Sequence, residues 1–220
     1  MTTKPRLISL DVWNTIISAN PAYSTARDAV FRDLPFDLDQ IKAVYREHKD
    51  GADRAAEERG EGLTSEATYK KFALAIDPTG DIIPWALQRR LEEAFRAHPP
   101  LIRPDVIEAL QAVHAAGVQV SIGSNTNFIR GRVLHEAALA RLDVPFAFKV
   151  FSDIHAVSKP HPEFWRIVKA KASAIDIYPT EIVHVGDNEI CDGGCEAHGI
   201  RFAYTPNPEG LAPLLKGLIA

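Results

Sequence analysis

The sequence predicts an α/β protein, a doubly wound parallel-sheet core interrupted by an inserted α-helical bundle. Three observations predict this. Short apolar runs alternate with helical patterns from about residue 101 onward. Each run is flanked by glycine or polar residues, as in parallel strands covered on both faces. Between the first run and the second lie roughly eighty residues with no strand pattern, far more than an ordinary crossover needs.

The strand-like runs fall at 7–10, 118–123, 146–151, 182–185 and 202–204. Helical patterns lie between them at 105–116, which ends at Gly117, at 128–142 and at 162–174. This alternation implies right-handed βαβ units. The long interval reads as helices at 23–34, 38–58, 65–76 and 84–97. The second sets Leu38, Ile41, Val44 and Tyr45 on one face, and the third does so with Tyr69, Phe72, Ala73 and Ile76. Pro84 suits a first helical turn, and Gly60, Gly62 and Gly80 mark the turns between helices. The expected division is a core of 1–17 and 99–220 with a helical unit, 18–98, between its first and second strands.

Composition bounds the functional classes. Of 220 residues, 46% are hydrophobic and 25% charged, the balance of a chain with a core to bury. A formal net charge of −4 gives no broad basic field and argues against nucleic acid as a partner. No apolar run nears the ~18 residues of a membrane span, and residues 1–6 lack the apolar core of a signal peptide. Cys191 and Cys195 lie too close together for a disulfide framework and suggest a reducing compartment, so a cytoplasmic protein is expected.

Four segments carry candidate chemistry. The first run ends in Asp11, Val12, Trp13, Asn14 and Thr15; an Asp there lies where open α/β sheets bind ligands, although it could equally cap a turn. The second ends in Ser124 and Asn125, where Ser124 can either bind an anionic oxygen or cap the following helix. In the third, Pro160 and Pro162 stiffen the chain beside Lys159, a cation able to face the Asp11 carboxylate and charge on a transferring group. The fourth sets Asp187 and Asp192 just after a strand, hard oxygen ligands that suit Mg²⁺.

In this order, the four segments resemble the motifs of the haloacid dehalogenase (HAD) superfamily, and the likeness runs over nearly the whole chain. The resemblance implies a Rossmann-like core with a helical C1-type cap. It implies Asp11 as a nucleophile forming a covalent aspartyl intermediate, Thr15 as support for its loop, Ser124 as a ligand of the transferring group and Lys159 as neutralising charge. Asp11, Asp187 and the Trp13 carbonyl would hold Mg²⁺, with Asp192 binding it or orienting a metal water. Trp13, Asn14, Ser124 and Asn125 would face the substrate, a small and anionic molecule such as a phosphate ester.

One residue departs from that family's phosphatases. They carry an acid two residues after the nucleophile, and Trp13 stands there; indole does not titrate usefully. Phosphatase activity should then favour good leaving groups. An aromatic here also resembles the family's 2-haloacid dehalogenases, the alternative reading. The acidic run Asp37 and Asp39 at the start of the second cap helix would repel an anionic substrate carboxylate and weighs against it. A HAD fold kept as a binding protein without turnover is the third reading. Lys70, Lys71, Arg89 and Arg90 are candidate cap cations, most of them expected to be solvated. The spacing of Cys191 and Cys195, with His184 and His198 nearby, does not match a zinc site and reads as packing; Gly193 and Gly194 read as a tight turn.

Overall fold

The computed structural model describes residues 4–220. Within the stretch expected to lack a signal peptide, Met1 to Thr3 lie outside the described residues. The core is a five-stranded, all-parallel sheet in the order β5-β4-β1-β6-β7: β1 (Leu7–Leu10), β4 (Gln119–Ser124), β5 (Phe146–Phe151), β6 (Ile182–Gly186) and β7 (Arg201–Tyr204). After β1 the chain builds outward through β4 and β5, then returns to β6 on the other side of β1. The strand order therefore reverses between β1 and β6, and the crevice at their carboxyl ends is where such sheets hold ligands.

Each face of the sheet is covered, which is why the strands read as apolar throughout. Ile8 and Leu10 pack on one face against α5 (Pro104–Ala115), α6 (Gly131–Ala137) and α9 (Pro208–Ile219). Leu7 points to the other, where α8 (Pro162–Ser173) supplies Phe164, Trp165, Val168 and Ala172. Full burial of each of the larger aliphatic or phenylalanine side chains contributes roughly 1.5–3 kcal/mol. Gly117, with φ +76°, ends α5 as expected.

Four helices fill the long interval: α1 (Pro21–Arg32), α2 (Leu38–Arg59), α3 (Ser65–Ile76) and α4 (Pro84–Ala97). Asn20, Asp37 and Thr64 cap α1, α2 and α3 through their side chains, and Gly60 (φ +63°) closes α2. The bundle has its own core of Phe31, Ile41, Tyr69, Phe72, Ile76, Leu87 and Leu91. Phe128, from the loop after β4, enters this cluster and stacks on Tyr45 at 4.5 Å between ring centroids. An antiparallel ribbon of β2 (Ile17–Ser18) and β3 (Leu101–Ile102) joins bundle to sheet.

Three local expectations change. The helix expected at 128–142 starts at Gly131, breaks at Ala138 and continues as a 3-10 turn at Leu139–Leu142. Phe128 is committed to the bundle core and cannot begin a helix packed on the sheet. Gly193 and Gly194 open a 3-10 helix, Gly193–His198, instead of forming an isolated turn. Ser124 does not cap a helix, since α6 starts seven residues later behind Arg130. Among the described residues, no helix is long and apolar enough to cross a membrane.

Candidate active site

The site grows from three strand ends. Asp11 follows β1, and its backbone N–H donates to the Val185 carbonyl of β6 at 2.9 Å. Asp187 follows β6, one residue past Gly186. Lys159 arrives from the loop after β5 and α7 (Ser152–His155), and its side chain is almost wholly buried. Its Nζ donates to Asp11 Oδ1 at 2.7 Å and to Asp192 Oδ1 at 2.5 Å, so one cation joins two buried carboxylates.

Asn125 fixes that lysine. Its Oδ1 accepts from the Lys159 N–H at 2.7 Å, and its Nδ2 donates to the Lys159 carbonyl at 3.0 Å. The bundle grips the same loop from the other side: Ser158 N–H donates to the Gly60 carbonyl at 3.0 Å, and Glu61 bridges Val157. A Cβ at Gly62 would come within 2.9 Å of Ser158 Oγ and of the Val157 backbone nitrogen, so glycine permits this close approach.

Asp192 is held by three donors. Besides Lys159, His184 Nε2 meets Oδ1 at 2.9 Å, and Asn188 N–H donates to Oδ2 at 3.0 Å. An ionised carboxylate only accepts, so Nε2 carries the His184 proton and Nδ1 accepts from the Ser9 hydroxyl at 3.0 Å. Burial holds the His184 pKa below its usual value, consistent with a neutral ring. A side chain at Gly186 would overlap the Asp192 carboxylate, which makes glycine the residue that fits at the end of β6.

The electrostatics follow from this crowding. Burial raises the Asp11 pKa to about 7, aided by repulsion from Asp192 and Asp187 and opposed by Lys159. Asp187 is also raised, first by burial. Asp192 goes the other way: burial would raise it, but Lys159 and His184 together hold it well below the usual carboxylate range. Burial would also lower Lys159, yet Asp11 and Asp192 more than offset that and keep it charged. Oxygens of Asp11, Asp187 and Asp192 lie within 4.8 Å of one another.

The other expected residues distribute around this centre. Trp13 and Asn14 line the cavity above Asp11, Trp13 against Phe95 at 6.2 Å between centroids. Asn14 has φ +53°, the left-handed backbone that asparagine tolerates, and its side chain hydrogen-bonds Asp187. Thr15 is buried, and its hydroxyl has no hydrogen-bond partner among the described residues. Ser124 is buried at the end of β4, its hydroxyl donating to the Asn125 carbonyl at 3.3 Å. Both cysteines are buried: Cys195 packs under β6 and donates to the Ile200 carbonyl at 3.4 Å, Cys191 lines the cavity and accepts from Asn125 Nδ2 at 3.7 Å, and burial pushes both thiols up to about 12.

The cavity has a volume of about 510 Å³ and is walled by the bundle as well as the core. Lys70, Lys71, Arg89 and Arg90 do not line it; Arg90 pairs with Asp33, and Arg89 lies over Trp85. Arg27 and Lys49 line it instead. Arg27 lies 4.8 Å from the Tyr45 ring centroid and pairs with Asp28, while Lys49 pairs with Asp53 at 2.7 Å. The acidic run that was expected to repel an anion is also elsewhere: Asp37 caps α2, and neither it nor Asp39 reaches the cavity. That charge argument against a carboxylate substrate therefore falls.

The family model of haloacid dehalogenase-like hydrolases matches residues 5–193, and the chain belongs to that family. No curated protein sequence matches it. Among solved structures, it is similar to the HAD-hydrolase YfnB of Bacillus subtilis bound to magnesium, with a TM-score of 0.71, 18% identity, and coverage of 97% of this chain and 100% of that one. It is also similar to the L-2-haloacid dehalogenase of Xanthobacter autotrophicus with chloropropionic acid covalently bound, at TM-score 0.60, 22% identity and coverage of 98% and 84%. A predicted phosphoglycolate phosphatase from Haemophilus somnus matches at TM-score 0.57 and 15% identity, covering 93% of this chain and 85% of that one. At these identities the likeness shows the fold, which phosphatases and dehalogenases share.

Proposed function

We propose that the protein is a Mg²⁺-dependent phosphohydrolase in which Asp11 attacks a small phosphate ester, with residues 18–98 acting as its cap. The observation that carries this reading is Asp187, a second carboxylate in the Asp11 group that Lys159 does not reach. Lys159 is already shared between Asp11 and Asp192, and among the described residues no cation pairs with Asp187. Hard oxygen donors so arranged suit Mg²⁺, which takes one or two protein carboxylates and completes its shell with water and phosphate oxygens. Both Asp192 oxygens already accept hydrogen bonds, which favours Asp11 and Asp187 as the side-chain ligands and Asp192 as the residue that fixes Lys159. The ion would offset repulsion between an anionic nucleophile and an anionic substrate.

In this reading Ser124 and the Asn125 loop meet the transferring group, Lys159 offsets part of the cost of the buried Asp11 charge, and Asn14 orients Asp187. Thr15, whose buried hydroxyl has no partner among the described residues, supports the Asp11 loop through its packing. One observation favours haloacid dehalogenation as a second reading. Trp13 and Arg27 both line the cavity, an aromatic wall beside the nucleophile and a cation on the cavity wall, although Asp28 already pairs with it.

The test is a panel of phosphate esters and 2-chloropropionate assayed with Mg²⁺ and with EDTA. Aryl phosphate hydrolysis should stop in EDTA and return with Mg²⁺, while 2-chloropropionate should persist in both. Halide release that continues in EDTA would replace the first reading with the second. Substrates binding without any turnover would favour a binding protein.

A further inference from the structure

We propose that Glu57, on the cap helix α2, supplies the proton to the leaving group. The inference rests on the phosphohydrolase reading and goes beyond it. The loop from Asp11 to Thr15 contains no titratable side chain other than the nucleophile itself, so an acid able to extend the reaction to poor leaving groups has to come from elsewhere in the cavity.

The candidates can be taken in turn. Lys159 is committed to Asp11 and Asp192. Burial raises the pKa of the Tyr23 and Tyr45 hydroxyls and of the Cys191 thiol, which makes each a weaker acid. Asp53 is engaged by Lys49 and Glu61 by Arg59, and the Arg59 hydrogen bond holds Glu61 below its usual pKa. His98 follows α4 and also lines the cavity, so it serves as the control in the test below.

Glu57 is different. It is half-buried, and its partner is a neutral amide: Asn188 Nδ2 donates to Glu57 Oε1 at 2.7 Å. Among the described residues Glu57 Oε2 forms no hydrogen bond, so a proton placed on that oxygen would break none. Asn188 directly follows Asp187, and its amide N–H and side-chain oxygen are used within the Asp192 loop. The bond therefore ties a cap carboxyl to the loop that also carries Asp187 and Asp192. Glu57 and Asp11 line the same cavity.

The proposed step balances. An Asp11 oxygen attacks phosphorus, the bond from phosphorus to the ester oxygen breaks, and that oxygen leaves with the Glu57 proton as an alcohol. Water then attacks phosphorus of the aspartyl phosphate, gives its proton to the Glu57 carboxylate, and phosphate departs with Asp11 restored. Because α2 carries the acid, the chemistry is complete only with the cap seated on the core.

The test compares p-nitrophenyl phosphate, whose leaving group needs little protonation, with glycerol phosphate, whose alkoxide needs a proton. Both are assayed with Mg²⁺ in wild type, Glu57→Gln, Glu57→Asp and His98→Asn. Gln keeps the bond from Asn188 and removes the proton. Wild type should hydrolyse both esters. Glu57→Gln should lose roughly 10²–10⁴-fold in kcat on glycerol phosphate while changing little on p-nitrophenyl phosphate. Glu57→Asp should recover part of the loss, and His98→Asn should leave the ratio between the two substrates as in wild type. A purely structural role would move both substrates together.

An equal loss on both esters, no loss on either, a wild type confined to the aryl ester, or a changed ratio in His98→Asn would overturn the Glu57 assignment alone. A wild type inactive on both would overturn the phosphohydrolase reading and this inference with it.

Discussion

Asp11→Asn is expected to lower kcat by roughly 10⁴–10⁶-fold, the scale seen when an enzyme loses its nucleophile. Asparagine matches the shape of aspartate but its amide does not attack phosphorus. The same substitution should not lower stability. The folded-state pKa of Asp11 is raised, first by burial, so its ionised form counts against folding above the ordinary carboxylate pKa, near 3.8. That penalty grows with pH until the group titrates in the fold at about 7. Removing the charge relieves it, and in metal-free buffer at pH 7 the variant should melt no lower than wild type. Loss of activity without loss of stability marks a residue kept for chemistry. A variant that retains most of its rate would refute the role assigned to Asp11.

Lys159→Met should act with the opposite sign on stability. Lys159 is buried between Asp11 and Asp192, and methionine fills its space without the charge. Two buried carboxylates would then face each other with no cation between them. Breaking a buried ion pair in this way typically costs about 3–5 kcal/mol. Urea unfolding should show a loss of that size, together with loss of turnover. Combining it with Asp11→Asn should return part of the stability, because one of the stranded charges is gone. Additive losses in the double variant would mean that the lysine does not act through Asp11.

Much of this arrangement is legible in the chain. Strands β1 and β5 and helices α3 and α4 lie where periodicity sets them, and the Asp11, Lys159 and Asp187 ends converge because parallel strands bring their carboxyl ends to one crevice. What escaped depends on contacts distant in sequence. The β2–β3 ribbon is two residues per strand, too short to carry a pattern. Phe128 looks like the start of a helix because its partners Tyr45, Tyr69 and Phe72 belong to the bundle.

Lys70, Lys71, Arg89 and Arg90 drew attention as cap cations, yet Arg27 and Lys49 line the cavity. Composition alone does not say which face of an amphipathic helix meets the core. A usable signal was present in α2, where Tyr45, Lys49, Asp53 and Glu57 repeat at every fourth position and form one stripe, all of it on the cavity. Only Tyr45 of that stripe belongs to the apolar face of Leu38, Ile41, Val44 and Tyr45, and the charged continuation carries no apolar pattern to mark it. The three donors to Asp192 are a different case, since pairing among Lys159, His184 and Asn188 depends on side-chain geometry at the end of β6.

The central claim is that Asp11 takes up a phosphoryl group in a Mg²⁺-dependent reaction. The most direct test quenches the enzyme in acid during turnover of an aryl phosphate and maps the modified peptide by mass spectrometry. The account predicts a phosphoryl group on Asp11 that forms with Mg²⁺ and is absent in EDTA. A phosphoryl group on another residue, or a carbon ester of Asp11 formed from 2-chloropropionate in EDTA, would contradict it.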